Sequence, residues 1–220
     1  MKVIYQAEKN YPEKLQHIYA PPAKLYLLGD ETILNKPSIA IIGCRQASDY
    51  GKKVAFRFAY ELAKQGIVVI SGLAKGIDTC GHLGAVKANG QTVAILGSGF
   101  GHIYPTENKG LCREIIQKGG AILTEYAPES KPEKMHFPAR NRLISGLSNG
   151  VLVVEAKEKS GTLITVDYAL DQGKEVFIIP GNITSQNSNG TNSLIQQGAK
   201  LVTKVEDILT CLLYTSPSPR

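Results

Sequence analysis

Residues 39–44 read I-A-I-I-G-C, a short, continuously apolar run that ends at a glycine and a cysteine. Five similar runs follow along the chain: I-V-V-I-S (67–71), T-V-A-I-L-G (92–97), A-I-L-T-E (121–125), V-L-V-V-E (151–155) and V-F-I-I-P (176–180). Strands that are apolar at every position are typical of parallel strands covered on both faces. Amphipathic stretches of helical length lie between them, such as residues 50–66, which end in a glycine. The alternation predicts an α/β fold with a doubly wound, mostly parallel sheet.

The chain divides into three parts by composition. Residues 1–38 contain Pro12, Pro21 and Pro22 and one clear apolar strand, L-Y-L-L, and we expect them to form a short N-terminal lead-in packed on the sheet. Residues 39–211 carry the strand and helix pattern and form the main domain. Residues 212–220 end in two Ser-Pro pairs where the helical pattern stops, which predicts a disordered or non-native tail.

The composition fits a globular protein with an anionic partner. Hydrophobic residues make up 43% and charged residues 20% of the 220 positions, and the formal net charge is +6. A basic balance is consistent with nucleic acid but does not by itself identify a partner. No apolar run approaches the roughly 20 residues of a membrane span, and the start lacks a signal-peptide core. Four widely spaced cysteines without a C-x-x-C pair favour reduced thiols, so we expect a cytoplasmic protein without a membrane partner.

The residues that follow each strand do not favour a dinucleotide cofactor. The first strand leads into G-C-R-Q-A-S-D-Y-G rather than G-x-G-x-x-G, and the second ends in Ser71-Gly72, without the acidic residue that a ribose would need. The glycines at these ends either let backbone N–H groups approach an anion or only make tight turns. Residues 160–162, S-G-T, open a helix and read equally as a site for one phosphate or as an ordinary cap.

A basic and aromatic cluster lies between residues 134 and 142. It contains Lys134, Phe137, Arg140 and Arg142. Cations suit phosphates, and an unpaired base offers a face for a phenylalanine ring. The alternative is that both arginines pair with Glu125 and Glu155 as internal struts, since arginine is also preferred in buried ion pairs.

The sequence gives little support for catalysis or for a metal site. His82 follows Asp78 by four residues, a spacing that suits a structural hydrogen bond on one helix face better than a metal site. No G-x-S-x-G elbow, Walker loop or paired-carboxylate motif is present, and no nucleophile has an obvious base.

Taken together, seven motifs in order resemble one family, the DprA or Smf DNA-processing proteins of bacterial natural transformation. The resemblance runs from about residue 11 to about residue 202. The motifs are Y-G (50–51), S-G-L-A-K-G-I-D-T-C-G-H (71–82), a G-x-G followed loosely by Y-P-x-x-N between residues 99 and 109, F-P-A-R-N-R-L-I-S-G (137–146), V-V-E-A (153–156), S-G-T-L-I-T (160–165) and G-T-N-S-L-I-Q-Q-G-A (190–199).

The resemblance implies an extended Rossmann-like fold and a DNA-binding protein rather than an enzyme. Members of this family bind and protect incoming single-stranded DNA, help to load the RecA recombinase onto it, and form homodimers; no cofactor is implied. Carried onto this sequence, the DNA-binding residues would be Gly43, Arg45, Lys75, Lys134, Phe137, Arg140, Asn141, Arg142, Ser160, Gly161 and Thr162.

The sequence departs from the family pattern at two of these loops. Cys44 stands where the family usually has Ser or Thr, which removes a hydroxyl donor and leads us to expect weakened binding. Lys75 replaces the usual arginine, keeping the charge but losing the bidentate fork. Two alternatives remain: an enzyme that resembles the nucleotide phosphoribohydrolases, although their P-G-G-x-G-T motif is missing, and a non-catalytic nucleotide sensor.

Overall fold

A computed structural model of the protein describes residues 1–215, with side chains described as far as Leu212. Its centre is one nine-stranded sheet in the order β1-β2-β6-β5-β4-β3-β7-β8-β9. The strands are β1 (Lys2–Tyr5), β2 (Lys24–Gly29), β3 (Ser38–Ile42), β4 (Val68–Ser71), β5 (Thr92–Ile95), β6 (Ala121–Thr124), β7 (Gly150–Val153), β8 (Glu175–Ile178) and β9 (Lys200–Leu201). From β6 to β9 every neighbouring pair is parallel, and β2 is antiparallel to both β1 and β6. The predicted doubly wound, mostly parallel sheet is confirmed.

Helices cover both faces of the sheet. They are α1 (Glu13–Gln16), α2 (Asp49–Lys64), α3 (Ile77–Lys87), α4 (Lys109–Gln117), α5 (His136–Leu147), α6 (Gly161–Asp171), α7 (Asn189–Gln196) and α8 (Glu206–Thr215). The predicted helix at 50–66 corresponds to α2, and Gly66 beyond its end adopts a φ of +76°, which explains the glycine there.

Alternate residues of the strands build two separate core layers. Ala40 and Ile42 of β3 belong to a buried cluster with α1, α5 and α6, whereas Ile39 and Ile41 belong to a cluster with α2, α3 and α8. Because successive strand side chains point to opposite faces, a strand buried on both faces must be apolar throughout. This is the physical reason for the continuous runs in the sequence.

The N-terminal segment joins the sheet through hydrogen bonds as well as through packing. Its two strands extend the sheet beyond β6, a contribution that the composition of residues 1–38 indicated for β2 alone. Leu15 and Ile18 are buried against Gly146 of α5, where an added Cβ would lie 2.9 Å from a methyl group of each. The segment therefore fixes the position of α5. The division into domains stays a prediction.

The C-terminal helix α8 continues to Thr215. The tail predicted for residues 212–220 begins inside this helix, and its residues 216–220 lie outside the described part of the chain. The tail therefore stays a prediction.

The direction of winding reverses between β3 and β7. From β3 the chain proceeds to β4, β5 and β6 on one side, and it later returns to β7, β8 and β9 on the other side. Crossovers that diverge from two neighbouring strands leave a crevice outside their carboxyl ends, where ligands bind in open α/β sheets. The topology thus selects the ends of β3 and β7 as the place to look for a site.

Candidate functional site

A cavity of about 830 Å³ lies at this reversal of the sheet. Three segments form most of its lining: the loop after β3 at residues 42–46, the start of α5 with the residues just before it, and the loop that leads from β7 into α6. Ala74, Asp78 and Tyr104 complete it. A concave site large enough for a ligand therefore coincides with the position that the topology selects.

The loop after β3 is held between β7 and α3. The Cys44 N–H donates to the carbonyl of Glu155 at 2.9 Å, and the Cys44 carbonyl accepts from the Ile77 N–H at 3.2 Å. A Cβ added at Gly43 would lie 2.6 Å from Ile77 Cγ1, so the loop passes where only glycine fits. Beyond this closely packed turn, Arg45 is exposed and lines the cavity.

Glu155, at the end of β7, anchors the start of α2. Its buried carboxylate accepts from the Ser48 N–H at 2.9 Å and from the Ser48 hydroxyl. Ser48 is the N-cap of α2, and its hydroxyl oxygen accepts from the Gly51 N–H at 3.0 Å. No arginine within residues 1–215 pairs with Glu155, so the strut that was considered for this carboxylate is wrong.

Arg140 forms the floor of the cavity. Its side chain is only 4% exposed and donates from Nη1 to the carbonyls of Gly72 and Ile95, at the carboxyl ends of β4 and β5. Burial lowers the pKa of this guanidinium to about 10, while the nearby Asp78 carboxylate opposes the shift. A Cβ at Gly72 would lie 2.6 Å from Arg140 Nη2, so glycine is needed there for the guanidinium to fit. Arg140 fastens α5 to the strand ends.

Arg142 makes the other internal strut that the sequence allowed. Its two Nη atoms donate to the two oxygens of Glu125, each at 2.7 Å, and Nε donates to the Ala20 carbonyl at 3.0 Å. The hydrogen bonds that Arg142 donates to Glu125 raise its pKa. The residue is buried and does not line the cavity. It ties α5 to the residue that follows β6 and to the N-terminal segment.

Phe137 stands at the mouth of the cavity among exposed cations. The Arg45 guanidinium carbon lies 5.7 Å from the centre of its ring, within range of a cation–π contact. Gly97 makes room for the ring, since a Cβ there would lie 3.0 Å from Phe137 Cδ1. Lys134 lines the same mouth and is exposed. Neither Arg45 nor Lys134 has an acidic partner within ion-pair distance among the described residues.

The start of α6 forms the opposite wall. Ser160 is the N-cap, as predicted, but its hydroxyl makes no capping hydrogen bond and is buried without a partner among the described atoms. The first N–H groups of any helix lack acceptors within the helix, and the positive end of the helix dipole points the same way. Asn141 Nδ2 donates to the Gly161 carbonyl at 3.4 Å and so links α5 to this wall. The wall at the start of α6 thus presents hydrogen-bond donors and no carboxylate to the cavity.

The hydrogen bond predicted between Asp78 and His82 does not form. Asp78 Oδ2 instead accepts from the N–H groups of Gly72 and Ala74, at 3.1 and 3.3 Å, at the edge of the cavity. His82 Nδ1 lies 2.7 Å from the Thr92 hydroxyl, which itself donates to the Val69 carbonyl. Burial raises the pKa of Asp78 to about 6 and lowers that of His82 to about 3. Asp78 therefore lines the edge of the cavity with its carboxylate already hydrogen-bonded, and His82 belongs to the buried support behind it.

Nine of the eleven predicted site residues line the cavity: Gly43, Arg45, Lys134, Phe137, Arg140, Asn141, Ser160, Gly161 and Thr162. Arg142 lies behind α5, and Lys75 lies outside the cavity, exposed and paired with Glu107. Among the other lining residues, Tyr104 and Lys157 carry chemistry suited to a ligand and were not predicted as site residues. The sequence features that could have identified them are the Y-P pair after the third predicted strand, for Tyr104, and the basic stretch K-E-K before S-G-T, for Lys157.

Among residues 1–215, no group of three or more His, Cys, Asp or Glu side chains is placed to hold a metal ion. Nor does any helix described there have the length and apolarity needed to cross a membrane.

The fold and the cavity together define a Rossmann-like protein with a cationic, aromatic ligand site at the switch point of its sheet. Residues 2–213 match the profile of the DNA recombination-mediator protein A family. The chain belongs to this family, as the sequence motifs predicted.

Individual relatives cover nearly the whole chain. DNA processing protein DprA of Bacillus subtilis is 48% identical over 217 residues, which are 96% of this chain and 73% of that protein. The X-ray structure of DprA from Streptococcus pneumoniae is 42% identical with a TM-score of 0.89, over 95% of this chain and 73% of that one. DNA processing protein A from Helicobacter pylori, solved for its single-stranded DNA binding mode, is 34% identical with a TM-score of 0.86, over 97% of both chains.

Proposed function

We propose that this protein binds single-stranded DNA through the cavity at the ends of β3 and β7 and acts in DNA recombination. The observation that carries the proposal is a set of three exposed cations, Arg45, Lys134 and Lys157, which line the cavity together with Phe137 and have no acidic partner within ion-pair distance among the described residues. Cations that follow the phosphates and a ring that stacks on bases are the two components of sequence-tolerant single-strand binding. The single-stranded DNA binding mode of the Helicobacter relative supports the same assignment.

The wall formed by the start of α6 supplies a complementary phosphate contact. Ser160 offers an unpartnered hydroxyl, and the first N–H groups of the helix, at Gly161 and Thr162, point outward from its positive end. Arg140 and Asn141 hold α5 against both walls, and we assign them to positioning as well as to the cavity surface. Arg142 contributes indirectly, because its ion pair with Glu125 holds α5 in place.

The same proposal assigns binding rather than chemistry to the cavity. Its lining contains one carboxylate, Asp78, whose Oδ2 already accepts from two backbone N–H groups. We further propose that the bound strand is passed to the RecA recombinase in the cytoplasm, in keeping with a family of recombination mediators, and that the protein works as a homodimer. Sedimentation of the purified chain and a RecA filament assay on coated DNA test these two points.

Fluorescence anisotropy with a labelled oligo-dT and a matched duplex, over a salt series, tests the central proposal. We expect the single strand to bind more tightly, and the logarithm of its binding constant to fall linearly with that of the salt concentration. Arg45→Ala and Lys134→Ala should each weaken binding and lower the salt slope by about 0.7, because each removes one phosphate contact. Lys87→Ala is the matched control, since Lys87 is exposed at the last turn of α3, away from the cavity. Wild-type affinity for oligo-dT in both cavity variants would refute the proposal.

A further inference from the structure

Tyr104 is an aromatic residue of the cavity that lies outside the basic and aromatic cluster of residues 134–142. Its side chain lines the mouth and is 48% exposed, the largest exposed fraction of any aromatic ring that lines the cavity. Phe137, the predicted stacking residue, is half-buried and already contacts Arg45 and Gly97. Tyr104 therefore has the greater free ring surface.

The two rings are neighbours but are not parallel. Their centres are 5.7 Å apart and their planes are inclined by 54°. Because base stacking requires near-parallel planes, one base cannot stack on both rings at once. A strand that crosses the mouth therefore meets two separate stacking surfaces.

The loop that carries Tyr104 is held firmly by its C-terminal side. Pro105 is buried, and its carbonyl accepts from the Asn108 N–H at 3.1 Å. The side-chain amide of Asn108 donates to the Leu73 carbonyl at 2.8 Å and to the Thr79 hydroxyl at 2.9 Å. Tyr104 is thus presented on an ordered support, which reduces the entropy lost when a base packs against it.

One lysine lies near Tyr104 outside the cavity. Lys75 is close enough to Tyr104 for the two groups to interact electrostatically, but its ammonium is paired with the Glu107 carboxylate. Tyr104 therefore offers a nucleic acid its ring rather than a neighbouring unpaired charge.

We propose that Tyr104 is a second base-stacking residue, so that the mouth of the cavity holds two consecutive nucleobases, one on Phe137 and the next on Tyr104. The inference rests on the proposed single-stranded DNA binding and deepens it. It assigns part of the affinity to bases rather than phosphates at a position outside the basic motif.

Anisotropy titrations with oligo-dT and with an abasic oligonucleotide of the same length test this inference. Tyr104→Ala should weaken binding to oligo-dT roughly tenfold and leave binding to the abasic strand unchanged. Tyr104→Phe should bind like wild type because it keeps the ring, and Tyr19→Ala, an 82% exposed tyrosine outside the cavity, serves as the control. Equal losses on both strands, or no loss, would overturn the inference. If the wild type bound neither strand, the proposed function would fail first.

A spectroscopic variant gives an independent reading. The sequence contains no tryptophan, so Tyr104→Trp places a single reporter at the mouth. Stacking on a base should quench its emission with oligo-dT at saturation, and the abasic strand should not. Unchanged emission at an oligo-dT concentration where anisotropy reports saturation would contradict stacking at this position.

Discussion

Arg140 and Arg142 lie two residues apart on α5 and make different kinds of contact. Arg140 lies in the cavity floor and binds backbone carbonyls of two strands, so its charge is not cancelled by a direct ion pair. Arg142 is locked in a bidentate pair with Glu125 behind the helix. A bidentate pair that is largely buried stabilises the fold only as a complete unit, because either charge alone would be desolvated without compensation.

Arg142→Ala should therefore lower the free energy of unfolding by about 3 kcal/mol, since it leaves the Glu125 carboxylate without its partner. Urea unfolding followed by circular dichroism measures the change. The matched control is Lys52→Ala, which breaks the exposed pair between Lys52 and Asp49 and should cost less than about 0.5 kcal/mol. A variant at position 142 that kept wild-type stability but lost DNA affinity would show direct DNA contact instead.

At the scale of the element, the start of α6 combines an open glycine with unused donors. A Cβ added at Gly161 would meet nothing within 4 Å, so the fold does not require glycine at this position. The Ser160 hydroxyl beside it has no partner among the described atoms. If a phosphate packs on the helix end, the glycine is explained by the ligand rather than by the protein.

Gly161→Ala should leave the protein as stable as the wild type or more stable by about 0.5 kcal/mol, since alanine restricts the unfolded chain. It should weaken oligo-dT binding about fivefold, the loss expected for one displaced hydrogen bond. Gly110→Ala is the matched control, because Gly110 also lies in the first turn of a helix with open space around it. Thermal unfolding and anisotropy measure the two effects, and equal affinities of the two variants would argue against a phosphate at α6.

At the scale of the whole molecule, two buried groups make stability depend on pH in opposite directions. His82 has its pKa lowered from 6.5 to about 3 by burial, so the unfolded chain binds more protons in that window and stability falls as the pH falls. Asp78 has its pKa raised from 3.8 to about 6 by burial, so the folded chain binds more protons there and stability rises as the pH falls. Between pH 4 and 6 the two effects oppose each other.

Substituting one of these two residues should reveal the pH dependence of stability that the other contributes. Between pH 7 and pH 5, the free energy of unfolding should fall with falling pH in Asp78→Asn and rise in His82→Asn, each with a limiting slope of about 1.4 kcal/mol per pH unit. An asparagine at either position can keep the hydrogen bond made to the neighbouring groups. Urea unfolding at several pH values measures the slopes, with the wild type expected between the two variants. Slopes of the same sign would refute the assignment.

The amino-acid sequence alone determined the six central strands, the doubly wound order and nine residues of the cavity. The strands and the edge that holds the site follow from local pattern: a strand buried on both faces is apolar throughout, and the loops at the carboxyl ends of parallel strands meet at one edge. The set of nine residues was implied by the motifs of the family that the sequence resembles. Only the tertiary structure assigned the individual roles. Arg142 finds its partners at Glu125 and Ala20, and Tyr104 reaches Phe137 from another loop. Such contacts join residues far apart in the chain. Whether an arginine is buried in an internal ion pair or lines the cavity is decided only when the helices and strands pack together.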